Sequence, residues 1–189
     1  MLDVALQFLR DELNTFLRTR TSAETFSVAL SKVVDEAGKY AFDQDTIALS
    51  VINIEEERTV KTHLPEYAQL NGRHVVKEPD LKLNLCVLFA ANFKRYDEAL
   101  KYVSHILIYF QSHPVFTREE FPALDSRIEK LTLELQSPSY EQLNQIWTFI
   151  GGKQLPSIIY KVRLLVLELE TPSTVQPPIT KIAATIKGR

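Results

Sequence analysis

Glycine is scarce, with five in 189 residues. None is arranged as a loop that cradles a nucleotide phosphate, so P-loop and dinucleotide-binding fingerprints are excluded. Cysteine is scarcer still. Cys86 stands alone, which rules out an internal disulfide and any dependence of the fold on an oxidising compartment. Its strand-like surroundings read as those of a buried, inert thiol rather than a nucleophile. Neither a Gly-x-Ser-x-Gly elbow nor a His-Glu-x-x-His helix occurs. A basic excess is missing too: 22 Lys and Arg face 24 Asp and Glu, a formal charge of −2. Phosphate binding usually shows as a basic stripe, so no nucleic-acid partner is expected. Long apolar runs are absent. The first residues, MLDVALQFLRDELNTFLRTR, are broken by Asp3, Arg10, Asp11 and Glu12, which suits neither a signal peptide nor a membrane span. No membrane partner is expected, and the chain is expected in the cytoplasm where it is made.

What remains is an ordinary globular composition. Hydrophobic residues make up 45% and charged residues 24%, enough for one domain with a sizeable core and a short appendage. The stretch from Asp80 to His113 is its centre. Leu81, Leu83, Leu85, Val87 and Phe89 alternate onto one face of a strand, and Cys86 and Leu88 make the other face partly apolar. A helix follows, with Tyr96, Ala99, Leu100, Val103, Leu107 and Phe110 at three-and-four spacing. Asp97 and Glu98 suit its first turn and Pro114 stops it.

Around this centre the pattern predicts further elements. Leu2 to about Arg18 is an amphipathic helix with a mixed-sign polar face, which favours packing on a sheet over lying on a membrane. Phe26, Val28 and Leu30 suggest a short strand ending near Val34, before an Asp35–Gly38 turn. Asp45 to Thr59 reads as a long central strand, with Ala48, Ser50 and Ile52 facing one way and Ile47, Leu49 and Val51 the other. Val60 to Pro79 is expected to be irregular, a loop that orders against a partner. Val115 to Arg127 is a connector, and Leu131, Leu133 and Leu135 mark a half-buried strand. Ser139 and Gln142 have the spacing of a capping box, opening a short helix that buries Leu143, Ile146, Trp147 and Ile150 and ends at Gly151-Gly152. Ser157 to Glu170 is the last strand; Leu165, Leu167 and Leu169 make its far side apolar, as if covered by another element or subunit. Three prolines stiffen the start of the tail, whose Ile179, Ile182 and Ile186 either dock on a neighbour or belong to a disordered end. The expected fold is α+β: a mixed sheet of about five strands with three packed helices over residues 1–170, and an extended arm over 171–189.

No catalytic, cofactor-binding or metal-ligating residue is assigned. Glu55, Glu56 and Glu57 are successive in a strand and point to alternate faces, so they cannot converge on one ion. His63, His74 and Glu55 are the only set on which a metal hydrolase could be imagined, and their spacing matches no ligand motif. His105 reads as a half-exposed helix residue, and His113 as a cation at a helix C-terminus.

Longer phrases carry more. FLRDELNTFLRTR (8–20), IALSVINIEEERT (47–59), LKLNLCVLFAANFKRYDEALKYVSHILIYFQ (81–111), FTREEFPALDSRIEKLTLEL (116–135) and LNQIWTFIGGKQLPSIIYKVRLLVLE (143–168) follow in order. Together they resemble the N-terminal domain of the cap, or tail-terminator, protein of extracellular contractile injection systems. These are the phage-tail-like particles typified by the antifeeding prophage and the Photorhabdus virulence cassettes. The resemblance spans about residues 1–170 and leaves residues 60–79 and the tail unmatched. It implies a tail-terminator-like fold and a homohexameric ring that ends the inner tube, holds the last sheath ring and uses no catalytic residues. The partners it implies are further copies of the chain, the tube protein and the sheath protein, in a particle assembled in the cytoplasm and released outside the cell. A non-enzymatic adaptor or chaperone for tail components is the alternative.

Overall fold

A computed structural model describes residues 2–21, 26–57, 66–70, 73–77, 82–165 and 174–176; for 66–70, 73–77, 165 and 174–176 it describes the backbone alone. The first helix, α1 (Leu2–Thr21), buries Ala5, Leu6, Phe8, Leu9, Leu13 and Leu17, one stripe at helical spacing. Asp3 in its first turn and Arg18 and Arg20 in its last complement the helix dipole.

Strand β1 (Ser27–Leu30) pairs in parallel with β2 (Thr46–Glu56). β1 therefore stops at Leu30, short of the expected Val34, which instead forms an isolated bridge with Tyr40. The turn expected at Asp35–Gly38 is present. The Asp35 carboxylate accepts the backbone N–H groups of Ala37 and Lys39, each at 2.9 Å, and Gly38 takes φ 73°, which a Cβ would strain.

β5 (Leu83–Asn92) lies antiparallel between β2 and β8 (Ser157–Leu165), as suits a strand with apolar residues on both faces. The sheet continues through β7 (Lys130–Gln136) to a short edge strand, β6 (Val115–Thr117), giving six strands in the order β1-β2-β5-β8-β7-β6. The connector expected at 115–127 thus begins with a strand, and the sheet has six strands rather than about five. Three residues are too few for a visible alternation, although Phe116 is fully buried.

The region expected to be irregular, 60–79, contains β3 (Glu66–Leu70) and β4 (Arg73–Lys77). They pair antiparallel across the Asn71-Gly72 step, a dipeptide strongly favoured in two-residue hairpins. The tail adds β9 (Thr174–Gln176) to the other side of β4, making a separate three-stranded sheet.

α1 and α2 (Tyr96–Ser112) share one buried cluster with the first face of the large sheet, from which Ile47, Leu49, Leu85, Val87, Phe89 and Val162 project. Phe89 meets Phe110 of α2 with ring centroids 5.6 Å apart, and Phe8 of α1 meets Phe116 edge-on at 5.6 Å. α2 buries Ala99, Tyr102, Val103, Ile106, Tyr109 and Phe110. Tyr96 and Leu100, expected in the core, are 68% and 44% exposed. The buried stripe is rotated because Tyr102 and Tyr109 are taken inside with their hydroxyls provided for. Tyr109 donates to Glu12 of α1 at 3.3 Å.

Among the described residues, the opposite face of the sheet is only partly covered. α3 (Tyr140–Ile150) and the segment around Val33 and Phe42 share a second cluster with Ala48, Leu88, Ala90 and Ile159. Ala48 and Ala90 are register partners, and their small side chains leave room on this face for Trp147, which is 5% exposed. Leu143, Ile146 and Ile150, expected to be buried with it, are half-buried at its edge. The Ser139 capping box forms in full, and Gly151 closes α3 at φ 79°.

Candidate functional site

The structure does not describe His63, His74 and Glu55 together. His63 lies outside the described residues, and His74 is a β4 position paired with Gln69 and Gln176. Glu55 of β2 pairs with Asn84 of β5, its carboxylate accepting from Asn53 Nδ2 at 2.9 Å. Among the described residues no group of three His, Cys, Asp or Glu could hold a metal ion. Glu57 accepts from Asn84 Nδ2 at 2.9 Å, tying the strand end together.

His105 is half-buried, its ring edge-on to Tyr102 at 6.5 Å, and its Nε2 is buried without a hydrogen-bond partner. Burial first, then Lys101 and Arg20, push its titration below the usual histidine range. His113 caps α2, with its backbone N–H donating to the Tyr109 carbonyl at 2.9 Å and its Nδ1 3.1 Å from the same oxygen. Burial, followed by the Glu55 charge, pushes the Cys86 thiol up, which suits an unreactive group.

Surfaces rather than reactive groups stand out. A groove of about 560 Å³ runs between α3 and the sheet face beside it. Its floor is Ile52, Cys86 and Ile159 from three strands, and its wall is Ile146, Phe149 and Ile150 from α3. A register shift between Val51 and Asn53 in β2 shapes the floor, because the bulge brings Ile52 and Asn53 side by side at the groove. Phe149 is 86% exposed on the rim, and Tyr140 at the start of α3 is 94% exposed. Exposed aromatics beside an apolar concavity are the usual anchors of a protein–protein contact. Tyr96, Leu100 and Ile108 leave a second apolar stripe along the outside of α2. The sequence signalled neither surface, since the groove joins residues from β2, β5, β8 and α3. The apolar side expected of Leu165, Leu167 and Leu169 falls on side chains outside the described residues. Among those residues no helix is long and apolar enough to cross a membrane.

The fold has counterparts among known proteins. The model of the Pvc16 N-terminal domain family matches residues 5–181. The solved sheath/tube terminator of an extracellular contractile injection system, PVC, in its extended state, superposes with a TM-score of 0.59 at 14% identity. That match covers 96% of this chain and 62% of the other. The tube-terminating cap of the anti-feeding prophage is similar at the same TM-score and identity, over 94% of this chain and 60% of that one. No curated protein matches. At such low identity the likeness is one of fold, an α+β domain of tail-terminator type, and this chain spans about three fifths of the chains it resembles. Since the family model runs across nearly the whole sequence, the protein belongs to the Pvc16 N-terminal domain family.

Proposed function

We propose that this protein is a structural cap, a tail terminator, of a phage-tail-like contractile injection system. In this reading copies of the chain form a ring, a homohexamer, that ends the inner tube and anchors the last ring of sheath. The observation that carries it is the shared fold, which extends over nearly the whole of this chain and about three fifths of each solved terminator and agrees with the family match. The surface is consistent: it is rich in exposed aromatic and aliphatic side chains on α2 and α3. A ring subunit needs such faces, because head-to-tail contacts present two different surfaces of each copy. The role asks for no catalysis, cofactor or metal. Tube, sheath and further copies are its partners, with assembly in the cytoplasm and release as part of a particle. We place the terminator domain at residues 1–170 and an arm at 171–189, the arm contributing β9 to the small sheet.

Electron microscopy of particles from producers with and without the gene tests the proposal. Overlong or ragged tubes with unstable sheaths are expected in the deletion. Particles of normal length with intact ends would overturn the cap and leave an assembly adaptor or chaperone as the better reading.

A further inference from the structure

The groove beside α3 has a chemistry specific enough to name its occupant. Four isoleucines line it, Ile52, Ile146, Ile150 and Ile159, with Phe149 standing almost free on its rim. Among the described residues that line it, Glu55 is the only charged side chain, and the other polar groups are amides, a hydroxyl and the Cys86 thiol. Lys161, the register partner of Cys86, stands next to the floor. The occupant this lining suits is aliphatic at helical or extended spacing, with a cation at the end that meets Glu55. Residues 179–189, ITKIAATIKGR, meet this description. Ile179, Ile182 and Ile186 follow three-and-four spacing, and Lys181, Lys187 and Arg189 are the only charged side chains among them.

We propose that this groove receives residues 179–189 of a neighbouring copy of the chain. The isoleucines pack on the floor against Phe149, and a lysine of the segment approaches Glu55. This is recognition by an amphipathic segment laid in an apolar groove. The choice of a neighbouring copy rests on the ring reading. A ring joins one surface of each subunit to a different surface of the next, and the groove and this segment are two such surfaces. Groove and segment alone establish the match of chemistry.

Cys86 makes the test direct, because it lines the groove and is the only cysteine in the chain. The full-length Ile182→Cys variant then carries one thiol in the groove and one in the segment. Mild oxidation followed by non-reducing electrophoresis is expected to give covalent dimers and a ladder of higher species. The ladder should disappear when Cys86→Ser is added, which removes any product other than disulfides between the segment thiols themselves. It should fall several-fold with Phe149→Ala, a change at an exposed position that leaves the core intact, and with Glu55→Lys. A cross-linked monomer would overturn the assignment to a neighbour. Because burial raises the Cys86 thiol, the oxidation is run at alkaline pH beside a small-disulfide labelling control. No cross-link where the control labels Cys86 would overturn the docking. Negative-stain microscopy of the unaltered chain separates this from the ring. Rings without the ladder sink the docking alone, and a ladder without rings sinks the ring reading alone.

Discussion

Asn14 of α1 closes the outer edge of β1 by taking both backbone groups of Val28. Its Nδ2 donates to the Val28 carbonyl at 3.0 Å, and its Oδ1 accepts from the Val28 N–H at 2.8 Å. The amide thus replaces a neighbouring strand at that residue. An unpaired sheet edge is a template for adding foreign strands, so one side chain both satisfies the backbone and guards the edge. Asn14→Ala leaves two polar groups without partners and is expected to cost about 1–3 kcal/mol. Denaturant unfolding measures the loss, and light scattering on heating should show earlier aggregation. A change below about 0.5 kcal/mol would mean that water replaces the amide without penalty.

The rotated face of α2 gives a contrast within one helix. Phe110 is 2% exposed and Ile106 fully buried, whereas Leu100 is 44% exposed. Phe110→Ala should destabilise by about 3–5 kcal/mol and Ile106→Ala by about 2–5 kcal/mol. Leu100→Ala should stay within about 0.5 kcal/mol. Equal losses at Leu100 and Ile106 would restore the helix orientation expected from the sequence.

α3 is closed at both ends by local hydrogen bonds. Ser139 Oγ accepts the Gln142 N–H at 3.2 Å, and the Gln142 side chain accepts the Ser139 N–H at 2.9 Å. Ser139→Ala is expected to cost about 0.5–2 kcal/mol. For a chain of this size, each kcal/mol lowers the melting midpoint by about 2–4 °C. Gly151 is left-handed at φ 79° with open space where a Cβ would stand, so Gly151→Ala tests conformational strain free of any clash. Gly151→Asn should recover part of the loss, since asparagine tolerates that region; equal melts for the two variants would argue against strain.

A half-buried histidine and a buried tyrosine should make stability depend on pH from opposite sides. His105 titrates below its ordinary range because burial, then Lys101 and Arg20, disfavour its charged form. The unfolded chain therefore binds the proton first, and stability is lost as pH falls below the unfolded histidine value of about 6.5. Tyr160 is pushed up to about 12 by burial. The unfolded phenol ionises first, so stability present below about pH 10 is lost as pH rises toward the folded value. Unfolding midpoints across pH should bend down at both ends. His105→Leu should flatten the acid limb only, and Tyr160→Phe the alkaline limb only. An acid limb unchanged in the His105 variant would move that sensitivity to another group.

Much of the architecture was readable from residues close in sequence. The alternation of Leu83, Leu85, Val87 and Phe89 announced a central strand, and the Ser139/Gln142 pair announced the start of a helix. Both depend on interactions within a few residues, which is the range a sequence pattern reports. The hairpin of β3 and β4 does not follow from hydrophobic pattern, although the Asn71-Gly72 step between its strands favours a turn. Its strands are short and mixed in polarity, so their pairing rather than their pattern defines them. The stripe on α2 was misjudged because that helix is apolar around much of its circumference. Which side goes inward depends on Glu12 meeting Tyr109 from another helix.

The candidate surfaces divide in the same way. By itself the sequence determined that the short catalytic and phosphate-binding motifs, which demand set residue types at set spacings, do not occur in it. It also determined the isoleucine and lysine pattern of residues 179–189. The groove that matches this pattern was decided only by tertiary structure. Ile52, Cys86, Ile146 and Ile159 belong to β2, β5, α3 and β8, and become one surface only after the sheet orders itself and α3 lies across half of its face. A hydrophobic surface of that kind is a property of packing between distant segments. Its free energy is non-directional and proportional to shared area, so it leaves no local period in the chain.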